Sequence, residues 1–118
     1  MQTENKGGEQ AGATQIQTDR DCLTLINVFS VEPERQQELV ALLVQATEHT
    51  MKHLPGFISA NIHRSHDGRR VVNYAQWRSR KDFETMLSNP TAQLHMTQAA
   101  EIADFDPILC EVSRVHHA

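Results

Sequence analysis

The sequence predicts an α+β fold of order β-α-β-β-α-β, with helices on one face of a single antiparallel sheet. Three observations carry that prediction. Short β-branched runs of period two alternate along the chain with stretches of near-helical apolar spacing. An Asp67-Gly68 dipeptide between two strand-like runs marks a tight hairpin. A chain of 118 residues, 39% of them hydrophobic, suffices for one domain with one core and a modest pocket.

The elements follow in order. Met1 to Arg20 is rich in Gln, Thr, Gly and Glu, and cannot bury enough apolar surface to offset the entropy of ordering. It is expected to be a flexible tail, with one domain over residues 21–118. Leu23 to Val31 reads as a strand whose residues Leu23, Leu25, Asn27, Phe29 and Val31 share one face. Glu32-Pro33-Glu34 opens a helix, with proline in the first turn and carboxylates at the positive end of the dipole. Leu39, Leu42, Leu43, Ala46 and Leu54 mark its buried stripe, and Pro55-Gly56 stops it.

Phe57 to Arg64 and Arg70 to Arg78 are the two strands of the hairpin. Ser79 is a suitable N-cap for a helix from Arg80 to Leu87, with Asp82 in its first turn. Asn89-Pro90 breaks that helix, and another runs from about Thr91 to Ala103. Asp106-Pro107 leads into a last strand, Ile108 to Val115. This order is ferredoxin-like, with the first and third strands adjacent. Few residues remain to cover the second face of the sheet. That predicts a homodimer packed sheet on sheet, an α+β barrel.

Charge and composition exclude several classes. A net charge of -4 offers no footprint for nucleic acid or an anionic membrane surface. No apolar run approaches the ~20 residues of a membrane span, and the N-terminus lacks the apolar h-region of a secretory signal. Cys22 and Cys110 cannot form a disulfide framework and suit a reducing cytoplasm.

The most informative segment is Asn73-Tyr74-Ala75-Gln76-Trp77. Strand alternation sends Val71, Asn73, Ala75 and Trp77 to one face. Asn73 and Trp77 stand about 13 Å apart at ~3.3 Å per residue, with only the methyl of Ala75 between them. The layout describes a recess with an amide at one end and an indole at the other. Asn27 lies on the neighbouring strand in an apolar row, where an amide without partners costs a few kcal/mol, roughly 1–3. By spacing alone two readings stand: a small-molecule pocket, or an amide bonded to a loop beside a core tryptophan.

From Leu23 to Val115 the chain resembles the antibiotic biosynthesis monooxygenase (ABM) superfamily. The resemblance is carried by Leu54-Pro55-Gly56-Phe57, by the Asp67-Gly68 hairpin and by Val72-Asn73-Tyr74-Ala75-Gln76-Trp77. The last segment is similar to cofactor-independent anthrone monooxygenases of aromatic polyketide pathways. The resemblance implies catalytic roles for Asn27, Asn73 and Trp77. It implies a substrate pocket that includes Phe29, Ala75, Phe83, Met86 and His95. Phe83 stands where actinorhodin-type members carry a functional tyrosine, and Tyr74 alternates to the opposite face.

Such a protein is expected to oxidise a small phenolic, hydroquinone or anthrone-like aromatic to a quinone with O2, using no cofactor. No Gly-rich phosphate loop in a strand-helix context supports a bound dinucleotide. An electron-rich substrate can itself pass an electron to oxygen once deprotonated. No metal is expected. His49 and His53 have a ligand spacing but no third partner, His63 and His66 flank the hairpin, and His116 and His117 end the chain. Two alternatives accompany this reading: a non-catalytic dimeric binding or stress-response module, and a heme-degrading monooxygenase with His95 as the axial ligand.

Overall fold

The computed structural model describes residues 12–18 and 21–118. Most of the expected tail, residues 1–11 and 19–20, lies outside the described residues. Four strands, β1 (Leu23–Val31), β2 (Phe57–Arg64), β3 (Arg70–Trp77) and β4 (Ala103–Cys110), form one sheet of order β2-β3-β1-β4. All three pairings are antiparallel. Three helices, α1 (Gln36–His49), α2 (Arg80–Leu87) and α3 (Pro90–Ala100), complete the ferredoxin-like α+β fold. Among the described residues no helix is long and apolar enough to cross a membrane.

β1, β2 and α2 occupy the residues expected of them, because each is bounded by its own local signal. Ser79 caps α2 by accepting the Asp82 N–H at 3.1 Å. Three elements differ from expectation. The first helical region does not run unbroken to Leu54. A 3-10 turn at Pro33–Arg35 precedes α1, and a second at Met51–His53 follows it. Between α1 and that second turn, Thr50 leaves helical geometry at φ -130°, and its hydroxyl lies 2.9 Å from His95 Nε2. The last strand also lies five residues earlier than Ile108 to Val115, and α3 ends at Ala100 to make way for it. Pro107 is inside β4 rather than before it. β4 is an edge strand paired only with β1, where a proline can point its missing N–H away from the ladder.

The apolar core between sheet and helices is split in two. One cluster gathers Leu25, Ala75, Trp77, Phe83, Met86 and Ala92. The other gathers Phe29, Val31, Leu39, Val71, Ala99 and Ala103. On β1 the residue between Leu25 and Phe29 in the inward row is Asn27, and on β3 the residue between Val71 and Ala75 is Asn73. These asparagines are direct cross-strand partners. An amide pair therefore interrupts the core at its middle.

On the other face, Gln76 Nε2 donates to the backbone oxygen of Gln15 at 2.8 Å, and the Thr14 hydroxyl donates to Asn61 Oδ1. Part of the N-terminal segment thus lies against the sheet. At the base of α2, Arg78 makes a two-pronged ion pair with Asp82, with Nε–Oδ2 at 2.8 Å and Nη2–Oδ1 at 3.0 Å. Hydrogen bonds from Arg78 and then Ser79 hold the Asp82 carboxyl below its usual range. A lowered carboxyl contributes stability above its unfolded pKa and loses it as pH falls through the folded one. The melting temperature should therefore fall on acidification below about pH 4. Asp82→Asn should be less stable at neutral pH and show a shallower acid-side fall in a calorimetric titration.

Candidate active site

Between the sheet and the helices, where the amide pair divides the core, lies a cavity of about 310 Å³. Its floor is built from the inward row of the central strands: Leu25, Asn27 and Phe29 of β1, and Asn73, Ala75 and Trp77 of β3. Phe57 and Ala60 extend it along β2, and Phe105, Pro107 and Leu109 along β4. Leu43 and Thr47 of α1, Met51 of the following turn, Phe83, Met86 and Leu87 of α2 and Met96 of α3 close the helix side. A shallower, more polar depression lies at the far end of β1, near Arg69 and Arg70. The cavity at Asn27 and Asn73 is the deeper-set and more apolar of the two, as a small-molecule site requires.

The polar groups in it are few. The Oδ1 atoms of Asn27 and Asn73 are buried and find no hydrogen-bond partner among the described residues. Buried carbonyl groups left unpaired cost about 1–3 kcal/mol each, so their retention points to a ligand that satisfies them. Thr47 adds a hydroxyl whose hydrogen is already given to Leu43 O at 2.8 Å, which leaves its oxygen as an acceptor. Trp77, only 2% exposed, is held edge-on by Phe57 at 5.5 Å and by Phe83 at 6.3 Å between ring centroids. Both rings brace the indole, so Phe83 helps to set its orientation.

No lining residue is ionisable. The wall holds amides, a hydroxyl, an indole, thioethers and hydrocarbon. A side-chain general base is thus missing from its surface. Among the described residues, no three His, Cys, Asp or Glu side chains gather as a group able to hold a metal ion.

Of the residues expected at the site, Asn27, Phe29, Asn73, Ala75, Trp77, Phe83 and Met86 all line this cavity. His95 does not: it is half-buried on α3, and its Nε2 meets the Thr50 hydroxyl, which ties α3 to the end of α1. Tyr74 lies on the opposite face, where its hydroxyl accepts from Gln76 Nε2 at 3.1 Å. Leu43, Thr47, Met51, Phe57 and Met96 also line the cavity and were not expected at the site from the sequence. Their convergence depends on how the helices and the edge strand β2 come together, and no spacing along the chain encodes it. Phe105, Pro107 and Leu109 were hidden by the displaced last strand.

Residues 22–98 match the family model described as antibiotic biosynthesis monooxygenase. The chain belongs to that family. The tetracenomycin-F1 monooxygenase of Streptomyces glaucescens is 49% identical to this ABM chain over 98 residues, 83% of this chain and 88% of that protein. The ABM chain is therefore an enzyme, an oxidoreductase of the monooxygenase type. Solved structures share its fold. SnoaB, a cofactor-independent oxygenase from Streptomyces nogalater, superposes with a TM-score of 0.68 at 22% identity, covering 80% of this chain and 96% of that one. The ActVA-Orf6 monooxygenase of Streptomyces coelicolor, in complex with nanaomycin D, reaches 0.74 at 24% identity, covering 81% and 91%. The ABM fold thus places a ligand-sized cavity against two central strands in this chain.

Proposed function

We propose that this ABM enzyme oxidises an electron-rich phenolic aromatic, of the anthrone or hydroquinone type, to a quinone with O2 and no cofactor. The observation that carries the reading is the pair of orphaned amide oxygens at a largely apolar cavity without an ionisable wall residue. Phenolic hydroxyls are the donors those oxygens lack. Asn73 Nδ2 and the Trp77 indole N–H then donate to the substrate oxygen on which charge develops, while Asn27 orients the ring system. The relative's activity on tetracenomycin F1, given by its name, makes that compound a natural substrate to test.

For an anthrone, the balanced reaction converts one CH2 group and one O2 into one C=O group and one water. The substrate loses a C–H proton, and its enolate passes one electron to O2. Radical recombination forms the C–O bond of a peroxide anion, which is protonated to a hydroperoxide. That intermediate loses water to give the quinone. The protein binds, favours the anion and excludes bulk solvent. With no base in the wall, the proton leaves to a single water admitted with the substrate, or is lost before the substrate enters, and the substrate's own acidity sets the pH dependence. The rate should rise along a single limb with pH, and its midpoint should move when the substrate's pKa is changed by ring substitution. A midpoint fixed across substrates of different acidity would instead identify a protein base.

The second sheet face, bearing Ile26, Val28, Val72, Tyr74 and the exposed Ile108, supports a homodimer packed sheet on sheet. The two free cysteines suit a cytoplasmic enzyme. The deciding experiment is oxygen uptake by metal-free protein with dithranol and with tetracenomycin F1, after subtraction of autoxidation. Wild-type uptake above the blank, collapsing in Asn73→Ala, supports the reading. Binding of both compounds without uptake would make the chain a binding module.

A further inference from the structure

The helix side of the cavity is built in large part from sulfur. The described residues contain three methionines, Met51, Met86 and Met96, and all three line the cavity. They come from separate elements: the 3-10 turn after α1, then α2, then α3. Met86 is buried in the cluster that contains Trp77 and Phe83, and Met51 packs against that cluster. A core needing only bulk would be served by leucine, which is branched and holds its shape. Methionine is unbranched, turns about three bonds, and carries a polarisable thioether that makes favourable contacts with aromatic rings.

At about 310 Å³ the cavity is at the small end for a ligand site, so a rigid wall would admit a single molecular outline. A wall of three movable thioethers opposite a fixed floor of amides removes that restriction. We propose that Met51, Met86 and Met96 determine specificity: they form an adaptable wall that grips flat polycyclic aromatics by sulfur contact and accepts three-ring and four-ring outlines alike. This inference rests on the aromatic-oxygenase reading above, and its test separates the two.

The full chain is labelled at its methionine methyl groups with carbon-13. It is titrated with 1,8-dihydroxyanthraquinone and with a hydroxylated tetracenequinone, stable quinones of three and four rings. Quenching of Trp77, the one tryptophan in the chain, reports binding independently of the methyl signals. Both quinones are expected to quench Trp77 with affinities within about threefold of each other, a free-energy difference well under one tenfold step. The Met51, Met86 and Met96 methyl signals should move by ring current.

Each Met→Leu substitution conserves volume well enough to fold. Each should weaken binding about two- to tenfold, the range expected for one sulfur–aromatic contact. The triple leucine variant should bind the two quinones with affinities more than about tenfold apart. Quenching with unmoved methyl signals would overturn the inference and leave the aromatic site standing. So would a triple variant that binds both quinones like the wild type. Absence of quenching by either quinone would overturn the aromatic site as well. The methyl shifts need no variant, so a triple substitution that fails to fold leaves the inference open to refutation.

Discussion

Asn73→Leu is expected to slow oxygenation by roughly 100- to 1,000-fold, the loss that follows removal of one donor aimed at developing charge. The same substitution should raise the melting temperature. Asn73 Oδ1 is buried without a partner, and its replacement removes a penalty of about 1–3 kcal/mol. Leucine also branches at Cγ, as asparagine does, and would join the two apolar clusters that the amide pair separates. At roughly 4 °C per kcal/mol for a domain of this size, the gain is readily measured by calorimetry. Asn27→Leu should behave in the same way, because it faces Asn73 directly across the strands. Opposite signs for activity and stability are the signature of polar groups retained for a ligand. A variant that lost both together would show the asparagine to be structural, and the assignment would fall.

The second large effect is on the fold. Gly56→Ala should destabilise the protein by about 3 kcal/mol or more, the sum of a left-handed backbone penalty, a clash and a disturbed cap. Gly56 has φ +83°, and a Cβ there would lie 2.4 Å from both Cβ and Cγ of Asp82. Asp82 cannot easily yield. Its carboxylate is held by Arg78 and Ser79, and its N–H is the one that Ser79 caps. Relief of the clash must displace the first turn of α2, which carries Phe83, Met86 and Leu87 into the cavity wall. The variant should therefore lose substrate affinity as well as stability, unlike Asn73→Leu. Combining it with Asp82→Ala removes the colliding atoms beyond Cβ, so the two costs should be less than additive in urea denaturation. Full additivity would mean that the clash is absorbed elsewhere.

What could be read from the sequence was what is local. β1 is rich in strand-forming residues, β2 is bounded by Pro55-Gly56 and the Asp67-Gly68 turn, and α2 is announced by its cap. The floor of the cavity could be read too, because Asn27 and Asn73 fall in phase with apolar neighbours and a two-residue period leaves no choice of face. Pro107 misled the reading of β4, since its tolerance depends on β4 being an edge, a property of the assembled sheet. His95 was misplaced for a similar reason. It sits one residue from Met96, but only the packing of α3 on α1 decides that Met96 reaches the cavity and His95 meets Thr50. The helix side as a whole, with Thr47 and two of its three methionines, depends on such contacts.

The strand order also divides the molecule by stiffness. Asn27 and Asn73 ride on β1 and β3, which have a paired neighbour on both sides. Part of the opposing surface, Leu43 and Thr47, rides on the 14-residue α1, but the rest hangs on an 8-residue helix, an 11-residue helix and a 3-residue turn. Amide protons of the two inner strands should exchange with solvent only on global opening, whereas those of α2 and α3 exchange through local fraying. A ligand can then pass in and out by transient parting of the short helices, while the two asparagines proposed to meet it stay on the stiffer, doubly paired strands.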